Sequence, residues 1–377
     1  MPTVLFVFGT RPEAIKLAPV IEELRRDPSF AVRVCVTGQH REMLAQVLEL
    51  FDIVPDADLD VMTPNQNLAG LTAAILTGMS DVLRTLRPNV VVVQGDTTSA
   101  FAAGLAAFYA GIDVAHVEAG LRSGDDTSPW PEEVNRRLLS LVTKLHFAPT
   151  MGARDNLIAE GVDPARIHVT GNTVVDALKS TMVRIDGDTS LRERLESDFS
   201  FVDDSRRMIL VTGHRRESFG AGFESICGAL ADIARDHGDA EIVYPVHLNP
   251  NVRLPVKRIL GQSERVHLID PVDYVQFVHL MTRSDFILTD SGGVQEEAPT
   301  IGKPVLVMRD TTERPEGVSA GNVRLVGTHR ETIVAEATKL LSDPAHHQTM
   351  SRPSTVFGDG AASVRIAAVL RRERWDE

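Results

Sequence analysis

Twelve short β-branched runs alternate with longer helical patterns along the whole chain, and this alternation limits the possible folds more than any other feature. In the first half the runs are Thr3–Phe8, Ala31–Val36, Val90–Val93, Asp113–Glu118, Lys144–Ala148 and Arg166–Thr170. In the second they are Arg207–Thr212, Glu241–Val246, Arg265–Ile269, Asp285–Thr289, Pro304–Met308 and Asn322–Val326. A run such as Val90-Val-Val-Val93 has no polar face to give to water, which predicts parallel strands covered on both sides. Strand–helix alternation on this scale predicts doubly wound α/β sheets. A chain of 377 residues is too long for one ordinary core. Six runs fall on either side of Gly171, so we expect two domains with the boundary near that residue. The polar stretch Asp186–Asp204 should hold a short helix, Leu191–Glu196. The last helix, Gly360–Trp375, should present Val364, Ile366, Ala367 and Leu370 on one face.

The halves echo each other. Leu5-Phe-Val-Phe-Gly9-Thr-Arg11-Pro-Glu13 parallels Leu210-Val-Thr-Gly213-His-Arg215-Arg-Glu217, each a strand, then G-x-R-x-E, then a helix. Ligands of open α/β sheets bind beyond the carboxyl ends of the strands, so two such sheets facing a central cleft would bring both turns to it. A third strand end, Phe286-Ile-Leu-Thr-Asp-Ser-Gly-Gly293, leads into a helical segment with Gln295, Glu296 and Glu297. Paired glycines admit a ligand close to the backbone, and a helix start offers free N–H groups, a combination suited to a phosphate or diphosphate. Glu297 is then a natural acceptor for ribose hydroxyls. The plain alternative is a strand-to-helix turn with Ser291 as N-cap.

Composition excludes several classes of partner. A net charge of −13 argues against nucleic acid and anionic membranes, and 5% aromatic residues leave little for base stacking. Arg11, Arg122, Arg136, Arg215, Arg216 and Arg314 nevertheless gather beside the strand-end turns, either to hold a small anion or as scattered surface charges. Cys35 and Cys227 lack metal-type spacing and read as buried thiols in a reducing compartment. The apolar run Val4–Phe8 is too short for a signal peptide and no stretch reaches 18 apolar residues, so the expected location is cytoplasmic. No G-x-G-x-x-G follows the first strand, and neither a Walker loop nor a zinc-type cluster occurs, so we expect no cofactor and no metal.

Polar groups recur at strand ends in the first half: Gln94-Gly-Asp96, His116-Val-Glu118, and Glu132 just after Pro131. Grouped carboxylates push their pKa values apart, as acid–base chemistry requires. Each also has a plainer role open to it. Asp96 can cap the helix starting near Thr98, and Glu132 can complement a helix dipole. Glu118, ending an apolar strand, needs a partner or a task. Arg11 and Lys16 flank a helix start and suit either a phosphate or a surface ion pair. His214, behind a strand-end glycine, suits a diphosphate leaving group, although a lone histidine is more often structural.

On these residues the sequence resembles the non-hydrolysing UDP-N-acetylglucosamine 2-epimerases. The blocks that carry the resemblance include Gly9-Thr-Arg-Pro-Glu-Ala-Ile-Lys16, Gly38-Gln-His-Arg-Glu42, Gly95-Asp-Thr97, His116-Val-Glu-Ala-Gly-Leu-Arg122 and Pro131-Glu-Glu133 with Asn135-Arg136. Others are Thr212-Gly-His-Arg-Arg-Glu217, Pro245-Val-His-Leu-Asn-Pro250, Asp290-Ser-Gly-Gly293 with Glu296-Glu297, and Arg309-Asp-Thr-Thr-Glu-Arg-Pro-Glu316. The resemblance implies a glycosyltransferase B-type fold of two Rossmann-like domains, residues 1–170 with a C-terminal helix returning as 360–377, and residues 171–359. It implies interconversion of UDP-GlcNAc with UDP-ManNAc, supplying ManNAc units for cell-surface polysaccharide. It implies that Arg11, His214, Ser291, Gly292, Gly293, Glu297 and Arg314 hold UDP, and that Lys16, Asp96, Glu118, Glu132 and Arg136 surround the sugar. It further implies a homodimer, with substrate acting as an allosteric activator at Gln39, His40, Gln66, Arg215 and His247. Phe277 matches a uridine contact, while Val272 stands where a glutamine is usual, which bears on pyrimidine selectivity. A retaining glycosyltransferase, a hydrolysing epimerase and a non-catalytic nucleotide-sugar sensor are the other readings of the same fold.

Overall fold

The computed structural model describes residues 1–38, 41–63, 66–215 and 218–375. The chain divides into two compact units, Met1–Ala177 with Gly358–Glu377, and Leu178–Phe357. The first contains β1 (Thr3–Phe8), α1 (Arg11–Arg25), β2 (Ala31–Val36), α2 (Arg41–Leu50), β3 (Ala57–Asp58), α3 (Leu68–Leu86) and β4 (Val90–Gln94). It continues with α4 (Thr98–Tyr109), β5 (Asp113–Val117), α5 (Glu132–Val142), β6 (Leu145–Ala148), α6 (Met151–Ala159) and β7 (Ile167–Val169). The strands are all parallel, in the order β3-β2-β1-β4-β5-β6-β7. The seventh strand, β3, was not expected: two residues, one of them charged, make no apolar run. It forms only because Cys35 and Val36 of β2 offer a free edge.

Helix α7 (Thr173–Gly187) carries the chain into the second unit. There follow α8 (Thr189–Asp198), β8 (Arg207–Thr212), α9 (Ala221–Asp236), β9 (Ala240–Pro245), α10 (Pro250–Leu260), β10 (Val266–Ile269) and α11 (Tyr274–Arg283). Then come β11 (Phe286–Thr289), α12 (Val294–Thr300), β12 (Val305–Val307), α13 (Pro315–Ser319), β13 (Val323–Leu325), α14 (Arg330–Ser342) and α15 (Pro344–Met350). This parallel sheet runs β10-β9-β8-β11-β12-β13. Helix α8 is longer than Leu191–Glu196 because Asp188 caps it, accepting from the Leu191 N–H at 3.0 Å.

Burial explains the strand composition. Val90 to Val93 and Phe286 to Leu288 are wholly buried, as expected of strands with helices on both faces. The last helix, α16 (Ala362–Arg372), belongs to the first unit and packs on α1. Its buried stripe is Ser363, Ile366, Ala367 and Leu370; Val364, expected on that face, is 49% exposed. At 100° per residue position 364 falls outside the stripe. Asp176 caps this helix from α7, accepting from the Ser363 N–H at 2.8 Å and the Ala362 N–H at 3.2 Å. Those bonds tie the start of α7 to α16 within the first unit.

Chain direction across each sheet reverses once, between β1 and β4 in the first and between β8 and β11 in the second. The turns beyond these strands are where an α/β sheet leaves room for a ligand.

Candidate active site

At the first reversal point the turns after β1 and β4 are laced together. The Glu13 carboxylate accepts from the N–H groups of Gly9 (3.0 Å) and Thr10 (2.7 Å) and from the Thr97 hydroxyl (2.6 Å). Burial pushes its pKa up, against the pull of those bonds. The glutamate of this G-x-R-x-E motif is thus a brace rather than a reactive group. A Cβ on Gly9 would lie 2.1 Å from Thr37 Oγ1, so only glycine fits there. Arg11 opens α1 half-buried.

Thr97, not Asp96, caps α4, accepting from the Ala100 N–H at 3.1 Å. The Asp96 carboxylate is therefore left to Arg136, whose Nη2 donates to it. Arg136 Nη1 donates to Glu133 Oε2 (3.1 Å), and Asn135 Nδ2 donates to the Asp96 carbonyl (3.0 Å). Arg136 is buried while the Asp96 side chain stays 24% exposed, so the carboxylate is held but open to a ligand. Glu132 begins α5 half-buried, which also fits the helix-dipole role.

Glu118 directly follows β5 with φ 67°, in the left-handed region. That conformation costs a non-glycine residue about 1–2 kcal/mol. The carboxylate is buried, and its Oε2 accepts from Lys16 Nζ and from Asn172 Nδ2, the latter at 2.7 Å. Two residues earlier, His116 Nε2 bonds the Gly95 carbonyl at 2.7 Å and so braces the Asp96 turn. Burial lowers the His116 pKa to about 4, so the ring is neutral and donates through Nε2. Its neighbour across the sheet, His146, is lowered by burial to about 3.

The second reversal point is laced by Asp290 at the end of β11, whose Oδ2 accepts from the N–H groups of His214 (2.7 Å) and Arg215 (2.8 Å). The His214 side chain is half-exposed, and its ring stacks on His247 at 5.2 Å and 11°. Ser291 does not cap α12; Gly293 occupies that position, and the Ser291 N–H donates to Thr289 Oγ1 at 2.9 Å. Arg314 is buried, donating from Nε to Glu296 (2.5 Å) and from Nη1 to Glu313 (2.6 Å). Its guanidinium lies against Gly292, where a Cβ would come within 2.7 Å of Nη1. Burial alone would raise the Glu313 carboxyl, but Arg314, Arg309 and Arg215 together hold it below the usual range. Glu297 Oε1 accepts from the Tyr274 hydroxyl at 2.7 Å, and Phe277 is half-buried on the same helix, α11.

Lys16 is thus joined to Glu118, and Asp96 to Arg136, beyond the adjacent strands β5 and β4. His214, Ser291, Gly292, Gly293 and Arg314 gather around the end of β11 and its neighbouring turns. Arg122, another of the arginines beside the strand-end turns, donates from Nε and Nη2 to Glu160 at 2.8 and 2.5 Å. Of the residues expected to bind an activator, Gln66 lies in the first unit and Arg215 and His247 in the second, while Gln39 and His40 lie outside the described residues, as do Arg216 and Glu217. Sequence reasoning missed Asn172, Glu133 and Tyr274 as partners. Only Asn172 carried a signal, since Gly171-Asn172 is another strand-end turn.

A family model described as UDP-N-acetylglucosamine 2-epimerase matches residues 22–371. The chain is 58% identical over 371 residues to the UDP-N-acetylglucosamine 2-epimerase of Escherichia coli O157:H7, covering 98% of this chain and 99% of that one. Among solved structures it is similar to the UDP-GlcNAc 2-epimerase from Neisseria meningitidis bound to UDP-GlcNAc, with TM-score 0.96 and 48% identity over 98% of this chain and 100% of that one. The S. aureus MnaA co-structure with UDP matches with TM-score 0.91 and 43% identity over 98% of this chain and 96% of that one. With its two parallel-sheet units of glycosyltransferase B-type fold and these full-length likenesses, the chain belongs to the UDP-N-acetylglucosamine 2-epimerase family of isomerases.

Proposed function

We propose that the chain interconverts UDP-GlcNAc and UDP-ManNAc without hydrolysis, by losing and regaining UDP. The hydrogen on carbon 2 of the sugar is not acidic, because no carbonyl lies beside it. When UDP leaves with the electron pair of the carbon 1–oxygen bond, carbon 1 becomes oxocarbenium-like and the neighbouring proton becomes removable. A carboxylate takes that proton, a double bond forms between carbons 1 and 2, and 2-acetamidoglucal remains beside UDP. UDP then adds back to carbon 1 as a proton enters carbon 2 from the opposite face, inverting it. Base and acid are drawn from Asp96, Glu118 and Glu132, with Lys16 and Arg136 stabilising charge around them. His214, Arg11, Ser291, Gly292, Gly293 and Arg314 bind the diphosphate, Glu297 the ribose and Phe277 the uracil. The observation that carries the reading is the pair of carboxylate–cation couples, Lys16–Glu118 and Arg136–Asp96, beyond adjacent strands.

Incubation with UDP-GlcNAc in deuterated water tests it. Deuterium at carbon 2 of both epimers, with no free sugar beyond traces of glucal, is the expected result. Accumulating free ManNAc makes the enzyme a hydrolase, and no incorporation ends the elimination reading.

The product would supply ManNAc units for polysaccharide, and the free, buried Cys35 and Cys227 suit a reducing cytoplasm. Among the described residues no helix is long and apolar enough to cross a membrane. Substrate would also act as an activator through Gln39, His40, Gln66, Arg215 and His247, giving sigmoidal dependence of rate on UDP-GlcNAc; a hyperbolic curve removes that part. Phe108 and Tyr109 of α4 and Leu138 and Leu141 of α5 are exposed, and a second copy would cover such apolar side chains. Sedimentation equilibrium showing only monomer removes the homodimer.

A further inference from the structure

The bond between Tyr274 and Glu297 has no part in the chemistry above. Both residues are buried, at 4% and 5% exposure, and the phenol donates to Glu297 Oε1 at 2.7 Å. We propose that Tyr274 is the residue that makes this site discriminate ribose from deoxyribose, by fixing the plane of the Glu297 carboxylate. The proposal rests on Glu297 being the ribose acceptor.

The local structure shows how the brace is built. Tyr274 is the first residue of α11, and that helix start is held by a capping box. Asp273 accepts from the Gln276 N–H at 2.7 Å, and the Gln276 side chain accepts from the Asp273 N–H at 3.2 Å. The phenol therefore approaches Glu297 from a fixed point. On the other side, Oε2 lies 3.5 Å from where a Cβ on Gly293 would stand, above the strand-end turn. The last torsion of a glutamate is broad and roughly two-fold. A phenol bonded to Oε1 narrows the orientations in which the carboxylate can meet a pair of vicinal hydroxyls. With Oε1 tied to Tyr274, the plane is set before any nucleotide arrives, and pre-organisation of this kind strengthens binding without adding a contact. A site built to bond a hydroxyl rejects the analogue lacking it, because that bond is then lost. Loosening the carboxylate should erode that rejection while leaving diphosphate and uracil contacts intact. A merely structural tyrosine would affect ribo- and deoxyribonucleotides alike.

The test is calorimetric titration of the full chain with UDP, 2′-deoxy-UDP and 3′-deoxy-UDP. Wild type should bind UDP about 10–100-fold tighter than at least one deoxy analogue, and Tyr274→Phe should shrink that ratio by about tenfold. Glu297→Gln should shrink it too, with the phenol still in place, and the double variant should lose little more, because the two residues act as one unit. An unchanged ratio in Tyr274→Phe beside a reduced one in Glu297→Gln overturns the proposal. A wild type that binds UDP without preferring ribose, or an unchanged ratio in Glu297→Gln, sinks instead the ribose-acceptor reading on which it rests. Should Tyr274→Phe not fold, Asp273→Ala, which releases the helix start that aims the phenol, should reduce the ratio, and an unchanged ratio there overturns the proposal. A wild type that fails to bind UDP sinks instead the nucleotide-binding reading on which the proposal stands.

Discussion

Glu118 concentrates the physical tension of the first unit in one residue. It holds a left-handed backbone and a buried carboxylate, and its charge is offset by Lys16, itself buried. Removing one member of a buried ion pair strands the other and costs about 3–5 kcal/mol, whereas removing both is often neutral. Stability and turnover should therefore separate. Glu118→Gln is expected to lower both, with kcat falling about 10²–10⁴-fold. Lys16→Met combined with Glu118→Gln should recover most of the stability and none of the activity. Urea unfolding alongside a turnover assay measures both, and a double variant as unstable as the single one would show that the pair is not what the fold depends on. Glu13 makes the opposite case: an equally buried carboxylate that accepts three bonds from turn residues is structural.

At the scale of elements, the strand-end turns are built by glycines whose constraints differ. Gly120, at φ +90°, has the Ala153 carbonyl oxygen 2.1 Å from where a Cβ would stand, so the turn after β5 presses directly on α6. Gly95, at φ +71°, has nothing within 4 Å of that position. Gly95→Ala should therefore cost only the left-handed penalty of about 1 kcal/mol. Gly120→Ala should exceed it by at least about 2 kcal/mol, since backbone must move. Thermal denaturation of the two variants compares them, and equal losses would mean that α6 shifts freely.

For the whole molecule, two neutral histidines in the first core set an acid limit. Folded His116 protonates only at about pH 4, whereas an unfolded histidine protonates near 6.5. Between these values the unfolded chain binds more protons, so stability is full above pH 6.5 and falls as pH drops towards 4. From His116 alone the loss by pH 5 is about 2 kcal/mol, and His146 adds to it in the same direction. Urea midpoints at pH 8 and pH 5 should differ accordingly, and less so in His116→Gln. A midpoint level across this window contradicts the assignment.

The sequence by itself determined the two parallel sheets, because burial on both faces writes itself into contiguous apolar runs, and it showed which residues stand at strand ends, because chain position is local. It could not show β3, whose two residues pair only through the edge of β2, nor Asn172, which reaches Glu118 across 54 positions. Val364 was misplaced because a short amphipathic helix allows more than one apolar stripe until a partner, here α1, selects one. Asp96 and Ser291 each suited a cap as well as a site, and only the fold gave those positions to Thr97 and Gly293. Local periodicity depends on which face meets water and is readable from neighbours in the chain; the partner of a buried charge depends on which distant segments fold beside it, and that is decided only in three dimensions.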